Sequence, residues 1–169
     1  IDGDHMLGIL SRYFDRREQL LARSVVTTIM RNSGLKAHLQ RLGIRMYETP
    51  VGDKYVTDKI FELRESDPNS QKIGLGGEQA GHILIVDDGH PTGDGLRTAL
   101  YVVRVFLESG VASLASFADE IGKTPQIIAS AQIGNGARMS REELDGLEAQ
   151  TLAQTPGILR ISLRYSGTE

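Results

Sequence analysis

Apolar residues recur at helical spacing in several separate stretches of the chain. The first stretch, residues 4–14, follows Asp2 and Asp4, both of which are plausible N-caps. The same spacing predicts further helices from Leu35 to Leu42 and over residues 53–63, 96–107, 113–121 and 140–153.

Runs of aliphatic and β-branched residues between these helices predict strands over residues 24–30, 44–49, 72–75, 83–86, 126–133 and 158–165. The alternation of strands and helices favours a layered α/β domain with a mixed sheet over residues 1–121. Residues 122–125 then break the pattern. We expect residues 122–169 to be part of a smaller α+β domain, incomplete because two strands and one helix bury too little apolar surface. The chain is therefore expected to be a fragment.

Composition narrows the classes of partner. The 169 residues contain no cysteine, which excludes disulfides and thiolate chemistry and is compatible with the reducing cytoplasm. A net charge of -3 gives no reason to expect nucleic acid or an anionic membrane as partner. No segment approaches the roughly 20 apolar residues of a membrane span. We expect a cytoplasmic protein with no nucleic-acid partner and no membrane.

A glycine-rich segment between two predicted strands carries the most distinctive chemistry. In residues 76–82, Glu78 and His82 lie four positions apart among glycines that include Gly77. A carboxylate accepts hydrogen bonds and an imidazole donates or accepts them, which suits sugar hydroxyl groups. The alternative is a glycine hairpin with a solvated glutamate and a packed histidine, and the spacing leaves both interpretations open.

Two other segments have the residue types of a ligand site. Gly52, Asp53 and Lys54 lie at a strand-to-helix junction, where ligands commonly bind, although Asp53 as a plain N-cap beside an exposed lysine is the alternative. Near the end of the chain, Arg164 is followed by a hydroxyl-rich segment suited to a phosphate dianion, or to a simple polar turn after a strand.

Other polar motifs are given structural roles. Asp2-Gly3-Asp4 offers too few oxygen ligands for a hard cation and is assigned to helix capping. The turn over residues 92–95 is likewise assigned to a cap. His5, His38 and His90 are expected at the surface or in helix packing.

Taken in order, these segments resemble the α-D-phosphohexomutase family over almost the whole chain. The landmarks are Asp2-Gly3-Asp4 and residues 27–34, 51–56, 77–82, 92–95 and 164–169. Their order and spacing are more specific than any one of them.

The resemblance assigns roles to individual residues. In the third domain of the family, the substrate-binding residues correspond to Gly52, Asp53, Lys54, Gly77, Glu78, Ala80 and His82. In the fourth domain, the phosphate-binding residues correspond to Arg164, Ser166, Gly167 and Thr168. Ala80 departs from the serine usual in the family, so one hydroxyl contact to the sugar is absent or supplied by water.

The resemblance also implies an activity for the longer protein. It implies an isomerase that moves phosphate between the 6- and 1-positions of glucosamine phosphate through a phosphoserine and a bisphosphate intermediate, with Mg²⁺ as cofactor. The phosphoserine and the magnesium loop of the family have no counterpart here, so no catalytic or metal residue is predicted and this chain alone is expected to be inactive. Gln79 fits the glucosamine branch of the family.

Alternatives remain open at this point. The substrate of the longer protein is expected to be a hexosamine phosphate, with mannose or glucose phosphate as alternatives within the family. A different class is a non-catalytic sugar-phosphate-binding module. The remaining partners implied are the missing domains of the same chain, and a homodimer is left open.

Overall fold

The computed structural model describes residues 1–67, 71–88, 90–132 and 138–165. Contacts divide the chain into two compact units, Ile1–Gln126 and Ile127–Glu169. The elements are α1 (Gly3–Arg16), β1 (Leu20–Thr28), α2 (Ser33–Arg41), β2 (Arg45–Thr49), α3 (Asp53–Glu65), β3 (Ile73–Gly77), β4 (Ile83–Val86), α4 (Gly95–Ser109), α5 (Leu114–Asp119) and α6 (Arg141–Gln154). Of the helices within the described ranges, none has the length and apolar character needed to cross a membrane.

The first unit contains a four-stranded mixed sheet, which confirms the predicted fold class. The strand order is β2-β1-β3-β4, with β1 parallel to both β2 and β3, and β4 antiparallel to β3. Successive side chains of β1 point to opposite faces. Val25 packs in the cluster that includes residues of α1, α2, α4 and α5, whereas Val26 packs against α3. The result is a three-layer α/β/α arrangement.

Helix α1 forms as the apolar pattern predicts. Leu7, Leu10 and Phe14 are completely buried on one face. The N-terminus is closed by a reciprocal capping box, in which the Asp2 carboxylate accepts from the backbone N–H of His5 and the Asp2 N–H donates to Nδ1 of His5, each at 3.3 Å. The prediction that Asp2 is a cap is therefore confirmed, but Asp4 is not a cap of its own helix and lies buried instead.

Strand β1 differs from its predicted bounds at both ends. It begins at Leu20 rather than residue 24 and ends at Thr28 rather than residue 30. Ala22 and Arg23 each adopt a φ of 49°, and the pairing with β3 shifts register between Leu20 and Val25. This irregularity leaves Ala22 and Arg23 exposed just before residue 24, so the apolar run on which the sequence prediction depended does not reach back to Leu20.

The second unit contains α6, close to its predicted bounds. The strands predicted at 126–133 and 158–165 are wrong over the residues that the structure describes, which exclude residue 133. Residues 126–132 and 158–165 have no regular secondary structure. A strand is held by hydrogen bonds to a neighbouring strand and by burial of one face. Neither condition is met, since Ile127, Ile128 and Leu159 are 94%, 64% and 73% exposed and α6 has no buried residue.

Candidate functional site

Three parallel strands deliver their following loops to one edge of the sheet. Thr28 at the end of β1 lies opposite Thr49 at the end of β2, and Thr27 lies opposite Gly77 at the end of β3. The turns after these strands therefore emerge side by side. In open α/β sheets, this carboxyl edge is the usual place for ligands to bind.

Asp53, Glu78 and His82 converge at this edge. One carboxylate or imidazole atom from each lies within 4.8 Å of the others, and His82 Nδ1 is 3.4 Å from Asp53 Oδ2. The side chains of His82 and Asp53 are 71% and 54% exposed, so a ligand can reach them. The sequence placed these residues in two separate segments, and the structure brings the segments together.

The backbone beside α3 completes the group. The N–H of Gly52 donates to Oε1 of Glu78 at 3.0 Å. Gly52 is the residue before α3 and has a φ of 132°, a conformation that favours glycine. The glutamate is therefore oriented toward the start of α3 and is not simply solvated.

The β3–β4 loop, residues 78–82, is a tight turn closed by its own backbone. The N–H of Glu78 donates to the carbonyl oxygen of His82 at 2.9 Å, and the N–H of Gly81 donates to that of Glu78 at 3.0 Å. A Cβ atom at Gly77 would lie 2.4 Å from the His82 oxygen. Glycine at position 77 is thus required for the turn that holds Glu78 and His82 together.

Behind this loop lies the start of α1. The N–H of Gly3 donates to the Gln79 carbonyl oxygen at 3.0 Å, and a Cβ atom at Gly3 would lie only 1.9 Å from the carbonyl oxygen of Glu78. The helix and the loop are in direct backbone contact. The motif Asp2-Gly3-Asp4 therefore contributes to the site by supporting the loop.

Asp4, which the sequence pattern assigned to helix capping, is a buried polar group under the same edge. Asp4 is 1% exposed, and its Oδ2 accepts from the backbone N–H of Asn32 at 2.7 Å. The other carboxylate oxygen is buried without a hydrogen-bond partner in the described part of the chain. Burial raises the pKa of Asp4 to about 6.

Asn32 caps α2 and also bonds to a distant segment. Its Oδ1 accepts from the backbone N–H groups of Gly34 and Thr124, each at 2.9 Å. The Asn-Ser-Gly sequence is a recognisable helix start, so the cap could have been found from sequence. The contact with Thr124 spans 92 positions along the chain and has no local signal.

A cation also lies near this edge. Arg31 is 4% exposed, and its Nε donates to Oε1 of Glu48 at 2.7 Å. In the sequence this arginine is only one member of the landmark segment 27–34. This ion pair joins the turn after β1 to an exposed glutamate on β2.

The other predicted site residues are less closely associated with Asp53, Glu78 and His82. Lys54 is exposed in the first turn of α3, and Ala80 is exposed in the β3–β4 loop. Arg164 is exposed in the second unit, and Ser166, Gly167 and Thr168 lie outside the described residues. The predicted phosphate-binding role of these four residues therefore stays a prediction.

The same three side chains could hold a metal ion, but they do not fit the expected Mg²⁺. Mg²⁺ prefers an octahedral set of oxygen ligands, whereas Asp53, Glu78 and His82 offer one imidazole among three ligands. No step that depends on Mg²⁺ is assigned to Asp53, Glu78 or His82.

The turn over residues 92–95 is a helix cap, as its motif predicted. Asp94 caps α4 by accepting from the N–H of Arg97 at 2.9 Å.

Comparison with known proteins identifies the family. A sequence model described as phosphoglucomutase/phosphomannomutase, alpha/beta/alpha domain III, matches residues 2–124. A phosphoglucosamine mutase of Thermotoga maritima is 41% identical over 169 residues, and one of Streptococcus gordonii is 35% identical over 172. Each alignment includes 100% of this chain but 36% of the relative.

Solved structures support the same fold. A phosphoglucomutase/phosphomannomutase family protein from Burkholderia thailandensis superimposes with a TM-score of 0.58 at 19% identity, over 74% of this chain and 25% of that one. An N-acetylphosphoglucosamine mutase from Aspergillus fumigatus, in complex with glucose 1,6-bisphosphate, gives 0.56 at 14% identity over 70% and 27%. The chain therefore belongs to the phosphoglucomutase/phosphomannomutase family, and residues 2–124 match the third domain of that family.

Proposed function

We propose that this chain recognises the sugar of a hexosamine phosphate, as part of a mutase that interconverts glucosamine 6-phosphate and glucosamine 1-phosphate. The observation that carries the proposal is the convergence of Asp53, Glu78 and His82 at the carboxyl edge of the sheet. The names of the relatives support this activity for the longer protein. The phosphoserine, the bisphosphate intermediate and Mg²⁺ are proposed for parts of that protein beyond these residues.

The negative charges of Asp53 and Glu78 favour the binding of an amino sugar. Asp53 and Glu78 place two carboxylates beside one imidazole. The 2-amino group of glucosamine is protonated at neutral pH, so a carboxylate at hydrogen-bond distance attracts it more strongly than it attracts a neutral hydroxyl. We therefore propose that the group discriminates glucosamine phosphate from glucose and mannose phosphates.

The same chemistry permits either orientation of the sugar. Carboxylates accept hydrogen bonds from any suitably placed hydroxyl, and an imidazole can donate or accept. A site of this kind can hold a bisphosphate intermediate before and after it turns over. Phosphoryl transfer depends on positioning and charge neutralisation, and the contribution proposed for these residues is positioning. The phosphate grip is proposed for Arg164, Ser166, Gly167 and Thr168.

Isothermal titration of the 169-residue chain with glucosamine 6-phosphate, glucose 6-phosphate and mannose 6-phosphate tests the proposal. We expect weak binding that is tightest for the amino sugar. Asp53→Asn should reduce this preference, because it removes one of the two negative charges. Glu62→Gln on α3, an exposed carboxylate paired with Lys59, is the matched control and should leave the preference unchanged.

The other outcomes identify the alternatives. Equal or tighter binding of the mannose or glucose phosphate would favour another substrate within the family. Failure of a folded chain to bind any of the three would contradict sugar recognition by this group alone. A gene whose upstream sequence lacks a serine phosphosite would favour a non-catalytic binding module.

A further inference from the structure

Three amide side chains form a continuous hydrogen-bonded chain behind the β3–β4 loop. Asn32 Nδ2 donates to Gln126 Oε1 at 3.0 Å, and Gln79 Nε2 donates to the same oxygen at 2.9 Å. Asn32 is buried, Gln79 is half-buried and Gln126 is exposed. These residues come from the turn after β1, the loop after β3 and the segment after α5.

The backbone fixes the direction of the first amide. Oδ1 of Asn32 accepts from the N–H groups of Gly34 and Thr124, and a backbone N–H can only donate. The other terminal atom of Asn32 must therefore be the nitrogen. It donates to the Thr124 carbonyl oxygen at 2.8 Å as well as to Gln126.

The orientation of the Asn32 amide determines the orientations of the Gln126 and Gln79 amides. Because Asn32 donates, the atom of Gln126 that faces it must be the carbonyl oxygen, and the Gln126 nitrogen then faces the carbonyl oxygen of Met30 at 3.4 Å. Gln79 meets the same oxygen and must also donate. One acceptor atom thus determines the orientation of the Gln79 side chain.

Gln79 is the neighbour of Glu78, and its backbone is held as well. Its carbonyl oxygen accepts from the N–H of Gly3, where α1 begins. The residue is consequently attached at its main chain by α1 and at its side chain by Gln126. Two attachments on one residue restrict the position of the carboxylate that precedes it.

We propose that Gln126 is a positioning residue for the β3–β4 loop, an inference that rests on the sugar-recognition role proposed above. Its Oε1 joins Asn32 to Gln79 and so fixes where Glu78 and His82 are presented. Gln126 is the last residue of the first compact unit and lies outside the segments that resembled the family landmarks. Gln126 acts on the loop through Gln79 and is not proposed to contact the sugar.

Amide hydrogen exchange in the 169-residue chain tests the position of the loop without any ligand. Gln126→Leu removes the acceptor, and we expect the N–H groups of Glu78 and Gly81 to exchange about three to ten times faster, the effect of one neutral hydrogen bond. The N–H of Val25 in β1 serves as an internal reference for global stability. Gln40→Leu, at an exposed position on α2, is the matched control.

Conservative replacement separates the acceptor from side-chain bulk. Gln126→Glu keeps an oxygen that can accept from both amides and loses only the long donation to the Met30 carbonyl oxygen at 3.4 Å, so exchange in the loop should return most of the way to that of the unsubstituted chain. Gln79→Leu should speed loop exchange as much as Gln126→Leu does. The variant that carries both substitutions should exchange no faster than either single variant. Three results would overturn the proposal. The loop exchange could be unchanged in Gln126→Leu, or Gln126→Glu could be as impaired as Gln126→Leu. The third is that the effects of the two substitutions multiply in the double variant.

Affinity supplies the second readout. Gln126→Leu should weaken the binding of glucosamine 6-phosphate by about three- to tenfold, and Gln126→Glu should restore it. Unchanged affinity in Gln126→Leu would overturn the positioning role. If the unsubstituted chain binds no sugar phosphate, the proposed function fails, while the exchange measurement still decides whether Gln126 positions the loop.

Discussion

Contacts of single atoms determine how closely the β3–β4 loop approaches α1. We predict that Gly3→Ala destabilises the chain by about 1–3 kcal/mol, because the added methyl would overlap the carbonyl oxygen of Glu78 and displace the loop. Urea unfolding measures the loss. Gly95→Ala is the control, since a Cβ atom there has nothing within 4 Å, and its stability should be unchanged or slightly increased. A Gly3→Ala chain as stable as the Gly95→Ala chain would contradict the contact.

Asp4 makes stability depend on pH in an unusual direction. Burial raises its pKa from 3.8 to about 6, so between these values the folded chain keeps a proton that the unfolded chain has lost. Folding is therefore favoured at the acidic end, and the contribution of this group to stability falls as pH rises from about 4 to about 6. The full effect is on the order of 3 kcal/mol.

Asp4→Asn tests this linkage. Asparagine keeps an acceptor for the Asn32 N–H but does not titrate, and any packing cost it introduces is the same at every pH. We expect the stability of the variant relative to the original chain to rise between pH 4 and pH 7, measured by urea unfolding at several pH values. Parallel pH curves for the two chains would show that Asp4 titrates normally.

Residues of the site were found from sequence only where their signal is local. Glu78 and His82 lie four positions apart in a glycine-rich segment, and this spacing is visible without a structure. The bond from Asn32 to Gln126 joins positions 94 apart, and nothing in the neighbourhood of either residue indicates the other. Long-range polar contacts of this kind depend on the final packing of the elements.

At the scale of elements, glycines on β3 set the distance between the sheet and α3. A Cβ atom on Gly74 would lie 2.3 Å from Cγ2 of Ile60. We predict that Gly74→Ala costs about 1–3 kcal/mol in the free energy of unfolding. Ile60→Leu moves the branch away from Cβ at constant volume, so the double variant should be more stable than the sum of the single effects.

A thermodynamic cycle from urea unfolding of the four chains gives the interaction energy. Strictly additive effects would mean that β3 and α3 can move apart freely. The contact between Gly74 and Ile60 would then not limit the distance between them. The same contact explains why residues 73–77, which are rich in glycine, nevertheless form a buried strand.

Periodicity predicted the elements best where a strand has a partner strand and a buried face within the described chain. The helices of the first unit and the pair β3 and β4 lie close to their predicted bounds. The strands at 126–133 and 158–165 were wrong because apolar alternation indicates only a capacity to pair. Without a partner strand or a buried face among the described residues, Ile127, Ile128, Ile158 and Leu159 remain exposed.

At the scale of the whole molecule, residues 2–124 match the third domain of the phosphoglucomutase/phosphomannomutase family. The chain spans 36% of the length of the curated relatives that it matches. The sheet brings segments that are distant in sequence to one edge, and the side chains that meet there can accept hydrogen bonds from a sugar. The proposed sugar recognition belongs to this edge of the first unit.

The most direct test is ¹H–¹⁵N chemical-shift mapping of the 169-residue chain during titration with glucosamine 6-phosphate. We predict saturable shifts concentrated at the amides of residues 52–54 and 78–82. Glu78→Gln should weaken this binding about tenfold, because a charge-assisted hydrogen bond is replaced by a weaker neutral one. The claim would be contradicted if these amides did not shift, if saturable shifts appeared only elsewhere, or if Glu78→Gln left the titration unchanged.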